Sequence, residues 1–434
     1  MRRAVEARGP AMEQSLERWV NQNTGSFNGP GLRELAALLE RELADLGFAV
    51  RVEPGGAVEL PGRGTFETGP LVLARSSAAQ RTPAPPRFLL AGHYDTVFEP
   101  DSPFQRFARG EPGGDRATGP GVADMKGGLV VLLETLRALR ASGDLARADW
   151  TVLLNGDEEI GSLASRARIE AAARTADFGF VFESSRRGGG MVSSRSGLGQ
   201  FHIAVEGVAA HAGSAHERGR SAIRELAHKI LAIEALTDYA RGVTLNVGTV
   251  SGGSKRNIVP ERAEAWIDLR YDEPAQGEAV RAALERIAAQ PVVEGTRTTL
   301  WGALHRPPKL LTPAVQGLLD RQAEAARALG FPTARALHSG GGTDGSLMGA
   351  VGLATLDSLG AVGGSAHTDR EWVSLASLRN SSAAAAVLLR RLIRKPLSAR
   401  SEPEASVVGR GLSARSEPQA SAVGRPLYAA GGEG

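Results

Sequence analysis

Short apolar segments alternate with amphipathic ones along most of the chain, and this alternation restricts the fold more than any other feature. The apolar segments predict strands buried on both faces of a sheet: residues 87–92, 149–156, 177–183 and 351–360. The amphipathic segments have apolar residues at helical spacing: residues 30–46, 127–143, 163–175, 313–329 and 374–394. Together they predict an α/β domain whose mixed or parallel sheet is covered by helices.

The rhythm changes between residues 198 and 306, where strands and helices follow the order β-α-β-β-α-β. Strands are predicted at 199–207, 243–252, 262–271 and 295–302, and helices at 221–236 and 277–290. This order is that of a ferredoxin-like α+β unit. The sequence therefore predicts one α/β domain in two parts, residues 12–197 and 307–395, interrupted by an inserted domain at residues 198–306.

The chain's last residues and its composition exclude several classes of protein. Residues 397–411 nearly repeat as 412–426 without an apolar face, which predicts a disordered repeat tail over residues 396–434. The absence of cysteine excludes disulfides, thiolate ligands and a cysteine nucleophile. A net charge of +3 argues against a nucleic-acid partner. With no signal segment and no 18-residue apolar run, we expect no membrane span and a cytoplasmic location.

Residues able to bind a metal follow the ends of the predicted strands. In open α/β sheets, ligands bind outside the carboxyl ends of the strands, so side chains at these ends are expected to converge. Two further candidates are in Gly-rich loops, one before a helix and one after a strand. The set comprises His93, Asp95, Glu158, Glu159 and Glu183 at strand ends, with Asp124 and His367 in the loops.

A cluster of buried carboxylates requires positive charge, because an unpaired buried carboxylate costs several kcal/mol. Two divalent cations would balance such a cluster. Nitrogen and oxygen ligands without sulfur suit two Zn²⁺ per chain, with Co²⁺ or Mn²⁺ as substitutes. Glu158 is then left to take a proton from water rather than bind metal. The predicted ligands are His93, Asp124, Glu159, Glu183 and His367.

Six segments occur in an order that resembles one known family. They are "GHYDTV", "GPGVADMKGG", "NGDEEIGS", "FE" at 182–183, "AAHAGSA" and "AHTD". The resemblance covers residues 15–395 and is to the M20 family of dinuclear zinc metallopeptidases, within it to glutamate carboxypeptidases of the carboxypeptidase G2 type. This family has an inserted ferredoxin-like lid or dimerisation domain, at the place where the strand and helix order predicts one.

The resemblance divides the predicted ligands between two metal sites. It implies that Asp124 bridges both zinc ions, and that the peptide bond after Asp124 is cis. His93 and Glu183 would complete one site. Glu159 and His367 would complete the other.

The resemblance also implies roles for residues that do not bind metal. Glu158 would be the general base and then the acid that protonates the leaving amine. Asp95 would support the imidazole of His93. His211 would polarise the scissile carbonyl, reaching in from the partner subunit of a homodimer formed through the inserted domain.

The resemblance further implies that the substrate has a free carboxylate. Asn257 and Arg306 match positions that hold this carboxylate, and the planar guanidinium suits bidentate pairing. Gly341 and Gly342 belong to the loop 339–346, which would lie near the same carboxylate.

The predicted function is a dinuclear zinc hydrolase that cleaves an amide bond next to a free carboxylate. It would remove a C-terminal, glutamate-like amino acid from a small peptide, or deacylate an N-acyl amino acid. The alternatives are a biosynthetic deacylase resembling acetylornithine deacetylase or succinyl-diaminopimelate desuccinylase, and a noncatalytic binding protein on the same fold. The triplet 157–159 alone also fits a helix first turn, and residues 340–345 fit the dinucleotide motif G-x-G-x-x-G of an oxidoreductase.

Overall fold

A six-stranded mixed sheet forms the centre of the α/β part of the protein. The computed structural model describes residues 1–60, 64–76, 84–111, 113–186, 188, 190–332, 335–395 and 397. In spatial order the strands are β1 (Ala49–Glu53), β4 (Gly69–Ser76), β8 (Asp149–Gly156), β5 (Arg87–His93), β9 (Phe178–Val181) and β18 (Thr355–Leu356). β8, β5, β9 and β18 run parallel to one another, while β4 runs antiparallel to both of its neighbours, β1 and β8. The predicted α/β class with a mixed sheet is confirmed.

Helices cover both faces of this sheet, because its central strands are apolar on both faces. In β5, Phe88 and Leu90 belong to one core, and Leu89 and Ala91 belong to the other. The first core includes residues of α4 (Lys126–Ala141) and α10 (Leu375–Arg394), and the second includes residues of α5 (Arg166–Thr175) and α9 (Asp344–Ala350), as the period of two along a strand requires. The helices are α1 (Arg2–Glu6), α2 (Gly9–Val20), α3 (Gly29–Asp45), α4 (Lys126–Ala141), α5 (Arg166–Thr175), α8 (Pro313–Ala328), α9 (Asp344–Ala350) and α10 (Leu375–Arg394).

Polar side chains fix where several of these helices begin. The Asn28 side chain accepts the N–H of Gly31 at the start of α3, and Ser374 accepts that of Ser377 at the start of α10. Such caps satisfy backbone donors that the first helical turn leaves unpaired.

The predicted strand at residues 351–360 is wrong in its length, because only Thr355–Leu356 pair with the sheet. Gly352 has φ of 86° and Ser358 has φ of 64°. An extended strand cannot continue through a residue with left-handed backbone, so these two positions limit it.

The inserted unit is a second, antiparallel sheet with two helices. If its four strands are numbered 1 to 4 along the chain, they lie side by side in the order 2-3-1-4, which is the ferredoxin-like order. A separate core includes Phe201, Ile203 and Leu226. The domain limits stay a prediction, since the described residues all belong to one compact unit, Met1–Glu402. In chain order its elements are β11 (Gly197–Glu206), α6 (Ala222–Glu234), β13 (Thr244–Gly252), β15 (Arg262–Tyr271), α7 (Pro274–Ala289) and β16 (Arg297–Arg306).

Three short strands, β7 (Arg116–Thr118), β19 (Gly363–Gly364) and β20 (Trp372–Ser374), lie beside loops of the site. The strands β19 and β20 flank the loop with His367, and β20 pairs with β7, just before the loop with Asp124. The predicted tail lies outside the described residues, apart from residue 397. None of the helices in the described part has the length and apolar character needed to cross a membrane. The remaining strands are β2 (Ala57–Leu60), β3 (Gly64–Glu67), β6 (Ala108–Arg109), β7 (Arg116–Thr118), β10 (Gly190–Arg195), β12 (Ala210–His211), β14 (Ile258–Val259), β17 (Arg335–Ser339), β19 (Gly363–Gly364) and β20 (Trp372–Ser374).

Candidate metal centre

Three neighbouring strand ends bring acids and an imidazole to one edge of the central sheet. His93 is the last residue of β5 and pairs in register with Asn155 of β8. Glu158 and Glu159 follow the end of β8, and Glu183 follows β9. Because β8, β5 and β9 are adjacent and parallel, their carboxyl ends lie side by side.

The carboxylate of Asp124 lies between the two histidines. Its Oδ1 is 3.2 Å from Nε2 of His93, and its Oδ2 is 3.2 Å from Nε2 of His367. Glu183 Oε1 is 3.6 Å from Nε2 of His93, and Glu159 Oε2 is 3.1 Å from Nε2 of His367. The structure therefore brings all five predicted ligands together. One carboxylate oxygen of Asp124 is directed at His93 and the other at His367.

Asp95 lies behind His93 and is completely buried. The backbone oxygen of Asp95 is 3.1 Å and its Oδ1 is 3.3 Å from Nδ1 of His93. Its two carboxylate oxygens also accept the N–H groups of Glu158 and Glu159, each at 3.1 Å. With Nδ1 of His93 directed at Asp95, Nε2 is left for the cluster.

Burial raises the pKa of three acids in this cluster, Glu158, Glu159 and Glu183, whereas hydrogen bonds with His367 and His93 outweigh burial and lower the pKa of Asp124. Burial raises the pKa of Glu158 to about 8, although Arg306 and His93 act in the opposite direction. Burial, and then the charge of Asp124, raise the pKa of Glu159 and, to well above its usual range, that of Glu183.

The imidazoles respond to the same crowding of negative charge. Hydrogen bonds with Asp124 and Glu159 raise the pKa of His367 to about 11. Raised pKa values of both the glutamates and His367 indicate that the site has an excess of negative charge. Divalent cations would remove that excess, so the donor set fits metal ions. His93, Asp124 and Glu159 each offer a ligand atom within 4.8 Å of the others.

Two buried charged residues hold the loop that carries Asp124, and sequence reasoning missed both roles. Glu371 accepts the N–H groups of Gly121, Ala123 and Asp124 at 2.7 to 2.9 Å. Lys126 donates from Nζ to two backbone oxygens just before and after the end of α2, each at 3.0 Å. The peptide bond between Asp124 and Met125 is cis, as the resemblance implied. No local pattern around Glu371 indicates partners about 250 residues away.

Arg306, a predicted substrate ligand, has protein partners in this structure. The side chain of Arg306 is 3% exposed. Its Nη2 is 2.9 Å from Oε1 of Glu158 and donates to the backbone oxygen of Glu158 at 2.9 Å. Its other contacts are to Ser162 Oγ at 3.0 Å and Asp344 Oδ1 at 3.2 Å. A substrate carboxylate would therefore have to compete with Glu158 and Asp344.

His211 and Asn257 lie together on the inserted unit. His211 is in β12, which pairs with β14, and the backbone oxygen of Asn257 accepts the N–H of Ala212 at 3.0 Å. Nδ1 of His211 accepts the N–H groups of Gly213 and Ser214, each at 3.1 Å, which leaves Nε2–H as a donor. Within the described residues, no hydrogen bond or ion pair joins either side chain to the metal cluster.

The glycine loop lies against Arg306. The oxygen of Gly341 accepts from Nη1 of Arg195 at 2.9 Å. A Cβ added at Gly342 would come within 2.7 Å of Cδ of Arg306, so the loop approaches too closely for a side chain there. The structure thus places Gly342 beside Arg306 and the oxygen of Gly341 beside Arg195, while the role of both glycines toward a substrate stays a prediction.

Comparison with known proteins gives matches over both parts of the chain. Residues 193–296 match the peptidase dimerisation domain of the M20 family, and residues 72–232 match peptidase family M28. Carboxypeptidase G2 of Pseudomonas sp. (strain RS-16) is 30% identical over 372 residues, which cover 85% of this chain and 86% of that protein. The chain belongs to the M20 family of metallopeptidases. This confirms the family to which the six sequence segments pointed.

Another relative is named for a different substrate. Succinyl-diaminopimelate desuccinylase of Sphingopyxis alaskensis is 26% identical over 326 residues, which cover 70% of this M20 chain and 81% of that enzyme. Together these relatives identify the chain as a metallopeptidase-type hydrolase of amide bonds.

Two solved structures share the fold. Aminopeptidase PepT of Bacillus cereus has a TM-score of 0.70 and 21% identity, covering 88% of this chain and 98% of that chain. The M20 family metallo-carboxypeptidase Sso-CP2 of Sulfolobus solfataricus has a TM-score of 0.67 and 20% identity, covering 87% and 98%. Both similarities extend over the central sheet and the inserted unit together.

Proposed function

We propose that this M20 hydrolase is a dinuclear zinc carboxypeptidase. It removes a C-terminal, glutamate-like amino acid from a small peptide or N-acyl amino acid by cleaving the amide bond next to a free carboxylate. The observation that carries the proposal is the position of Asp124, whose two oxygens face Nε2 of His93 and Nε2 of His367. A carboxylate in this position suits a bridge between two metal ions.

The proposed metal ligands are divided between the two histidines. Asp124 would be shared, His93 and Glu183 would hold one ion, and Glu159 and His367 would hold the other. When bound, two Zn²⁺ would supply Lewis-acid activation of water and of the substrate carbonyl. Co²⁺ and Mn²⁺ would fit the same nitrogen and oxygen donors.

Glu158 is proposed to move the proton. It is at the same strand end as the ligands, and its carboxylate pairs with Arg306 rather than with a histidine of the cluster. Glu158 takes a proton from the attacking water as the water oxygen bonds to the carbonyl carbon. It then delivers the proton to the leaving amide nitrogen. Asp95 fixes the backbone of Glu158 and the imidazole of His93, so it is proposed to orient both.

The substrate would be held by the inserted unit and the glycine loop. His211, with Nε2–H as donor, is proposed to stabilise the developing oxyanion from the partner subunit of a homodimer. Asn257, Gly341 and Gly342 are proposed to receive the free carboxylate, with Arg306 beneath the loop as a charged ligand.

Glu158→Gln tests the proposed chemistry. We expect kcat to fall by ~10²–10⁴-fold, the usual contribution of general acid–base catalysis, while two zinc ions per chain remain. Metal analysis and hydrolysis of an acyl-glutamate measure the two effects separately. Glu278→Gln, at an exposed position on α7, is the control and is expected to match wild type. Near-normal activity of Glu158→Gln would show that another group moves the proton.

A substrate panel tests the specificity. Folyl-glutamates, dipeptides and N-acyl amino acids are assayed with zinc and with cobalt. The proposal predicts the highest kcat/KM for substrates with a C-terminal glutamate. A preference for N-succinyl amino acids would instead favour a biosynthetic deacylase, which the match to a desuccinylase makes the second candidate. Hydrolysis of no panel member would favour a noncatalytic binding protein.

A further inference from the structure

We propose that Glu371 is a positioning residue that fixes the spacing of Asp124 and His367 and thereby sets the affinity of the metal centre. The inference rests on the proposed function, because it assumes that these two residues bind metal. It adds a residue that does not itself face a metal ion. The supporting observations are the hydrogen bonds, burial and chain position of Glu371.

The carboxylate of Glu371 is completely buried and accepts three backbone N–H groups of one turn. Oε1 accepts from Ala123 at 2.7 Å and from Asp124 at 2.9 Å, and Oε2 accepts from Gly121 at 2.9 Å. Both oxygens are therefore used, and one of the donors is the backbone of the proposed bridging residue. Three backbone donors on one buried side chain leave its carboxyl group little freedom to move relative to the turn.

Glu371 also belongs to the turn that carries His367. The N–H of Glu371 donates to the oxygen of Thr368 at 3.1 Å, and Oγ1 of Thr368 donates to the oxygen of Ser365 at 2.7 Å. His367 has φ of 63°, a left-handed backbone conformation that is typical of tight turns. Glu371 thus joins the turn of His367 directly to the turn of Asp124.

The consequence is seen in the distance between the two proposed ligands. Nε2 of His367 is 3.2 Å from Oδ2 of Asp124, although the side chain of His367 is 55% exposed. An exposed loop residue has little packing of its own to fix its position. The Glu371 contacts supply a fixed connection, which keeps the two donors at a distance that one ion can bridge.

Glu371→Gln is the test, with Glu225→Gln as the matched control. Glutamine keeps one acceptor oxygen but directs an NH₂ group at a backbone donor, so it cannot reproduce all three bonds. Glu225 is likewise buried and accepts the N–H groups of Val292 and Val293, but it lies in the inserted unit. Both full-length variants and wild type are titrated with Zn²⁺ against a chelator, and their Co²⁺-substituted forms are compared by visible absorption.

We expect Zn²⁺ to bind ~10–100-fold more weakly to Glu371→Gln, as is usual when a partner behind the ligands is lost. We also expect a changed Co²⁺ spectrum, whereas Glu225→Gln matches wild type in both measurements. Wild-type zinc affinity together with an unchanged Co²⁺ spectrum in Glu371→Gln would overturn the inference.

Two further results separate the possible failures. If Glu371→Gln does not fold, Glu371→Asp replaces it; this variant keeps both acceptor oxygens on a shorter side chain and is expected to weaken zinc binding, so unchanged affinity would overturn the inference. Wild-type protein that binds no zinc would overturn the proposed function itself. Wild-type protein with two zinc ions beside an unaltered Glu371→Gln would remove only the role of Glu371.

Discussion

Asp95 has more partners than support of one imidazole requires. It contacts Nδ1 of His93, accepts the N–H groups of Glu158 and Glu159, and accepts from Oγ of Ser26 at 2.9 Å. One buried carboxylate therefore joins the end of β5 to the acids that follow β8. The three adjacent acids 157–159 thus have different partners. Asp157 accepts the backbone N–H groups of Ala164 and Ser165. Glu158 pairs with Arg306, and Glu159 pairs with His367.

Arg306→Lys tests whether the guanidinium mainly orients Glu158 or mainly binds the substrate carboxylate. Lysine keeps the charge but cannot contact Glu158, Ser162 and Asp344 at once. If Arg306 mainly orients Glu158, we expect kcat to fall by ~10–100-fold, the usual cost of losing a residue behind a site, with little change in KM. Steady-state kinetics measure both constants.

The control for this variant is Arg297→Lys in the same strand. Arg297 is exposed and pairs with Glu206 at the surface, so its replacement is expected to change neither constant. A higher KM with unchanged kcat in Arg306→Lys would instead support the predicted contact with the substrate carboxylate.

At the scale of elements, the contact between α4 and the end of β9 determines how Glu183 reaches the cluster. Gly128 in the first turn of α4 is so close to β9 that an added Cβ would be 1.8 Å from the backbone oxygen of Phe182. Phe182 directly precedes Glu183. Glycine is thus required for close approach of the helix, even though it is a poor helix former.

Gly128→Ala is expected to destabilise the protein by ~1–3 kcal/mol, since a backbone oxygen cannot move aside easily. We also expect weaker zinc binding, because Glu183 would be displaced. Thermal unfolding and zinc titration measure these effects. Gly317→Ala in α8 is the matched control: among the described residues its Cβ would meet only Cδ1 of Leu397, at 3.5 Å, so the substitution is expected to stabilise the protein by about 1 kcal/mol. Equal stability of the two variants would contradict this account of Gly128.

Elements with strong periodicity were predictable from sequence, and those defined by pairing to distant strands were not. The predicted helix 374–394 corresponds to Leu375–Arg394, and the strand 149–156 to Asp149–Gly156. The parallel pair β10 and β17 lacks such a signal, because its register depends on residues more than 140 positions apart. Left-handed backbone at Ser358 likewise depends on tertiary contacts.

Some residues of the candidate site were likewise predictable from sequence, and others were not. Residues at the ends of apolar strands, such as His93 and Glu183, could be predicted because topology alone brings strand ends together. Glu371 could not, since its partners are backbone groups with no side-chain signature in the sequence. The engagement of Arg306 by Glu158 was also unpredictable, because it depends on how closely the inserted sheet approaches β8.

At the scale of the whole molecule, the inserted unit presents features suited to a homodimer. β13 pairs only with β15 among the described strands, so one of its edges is open. On α6, Leu231 is 71% exposed and Ile223 is 46% exposed. An open edge beside exposed apolar residues fits a contact between copies, in agreement with the match to a dimerisation domain.

Mixing two inactive variants tests whether the dimer shares its sites. If His211 acts on the partner subunit, a heterodimer of Glu158→Gln and His211→Ala contains one site with both residues intact. We expect the mixture, after subunit exchange, to recover activity that neither variant has alone. Each variant carried through the same exchange by itself is the control. Exchange verified by native mass spectrometry without recovered activity would place His211 in its own subunit's site or outside the reaction.

His367 and Glu371 follow the inserted unit in the chain, whereas the other four proposed ligands precede it. A ribosome makes β5, β8 and β9 early, yet it releases the last imidazole only when most of the polypeptide exists. Until then the site lacks one proposed metal ligand, His367. It also lacks Glu371, which holds the turn of Asp124. On the proposed ligand assignment, catalytic competence would arise only late in synthesis, and a polypeptide ending before this loop would lack both the last imidazole and α10, whose residues belong to the main core.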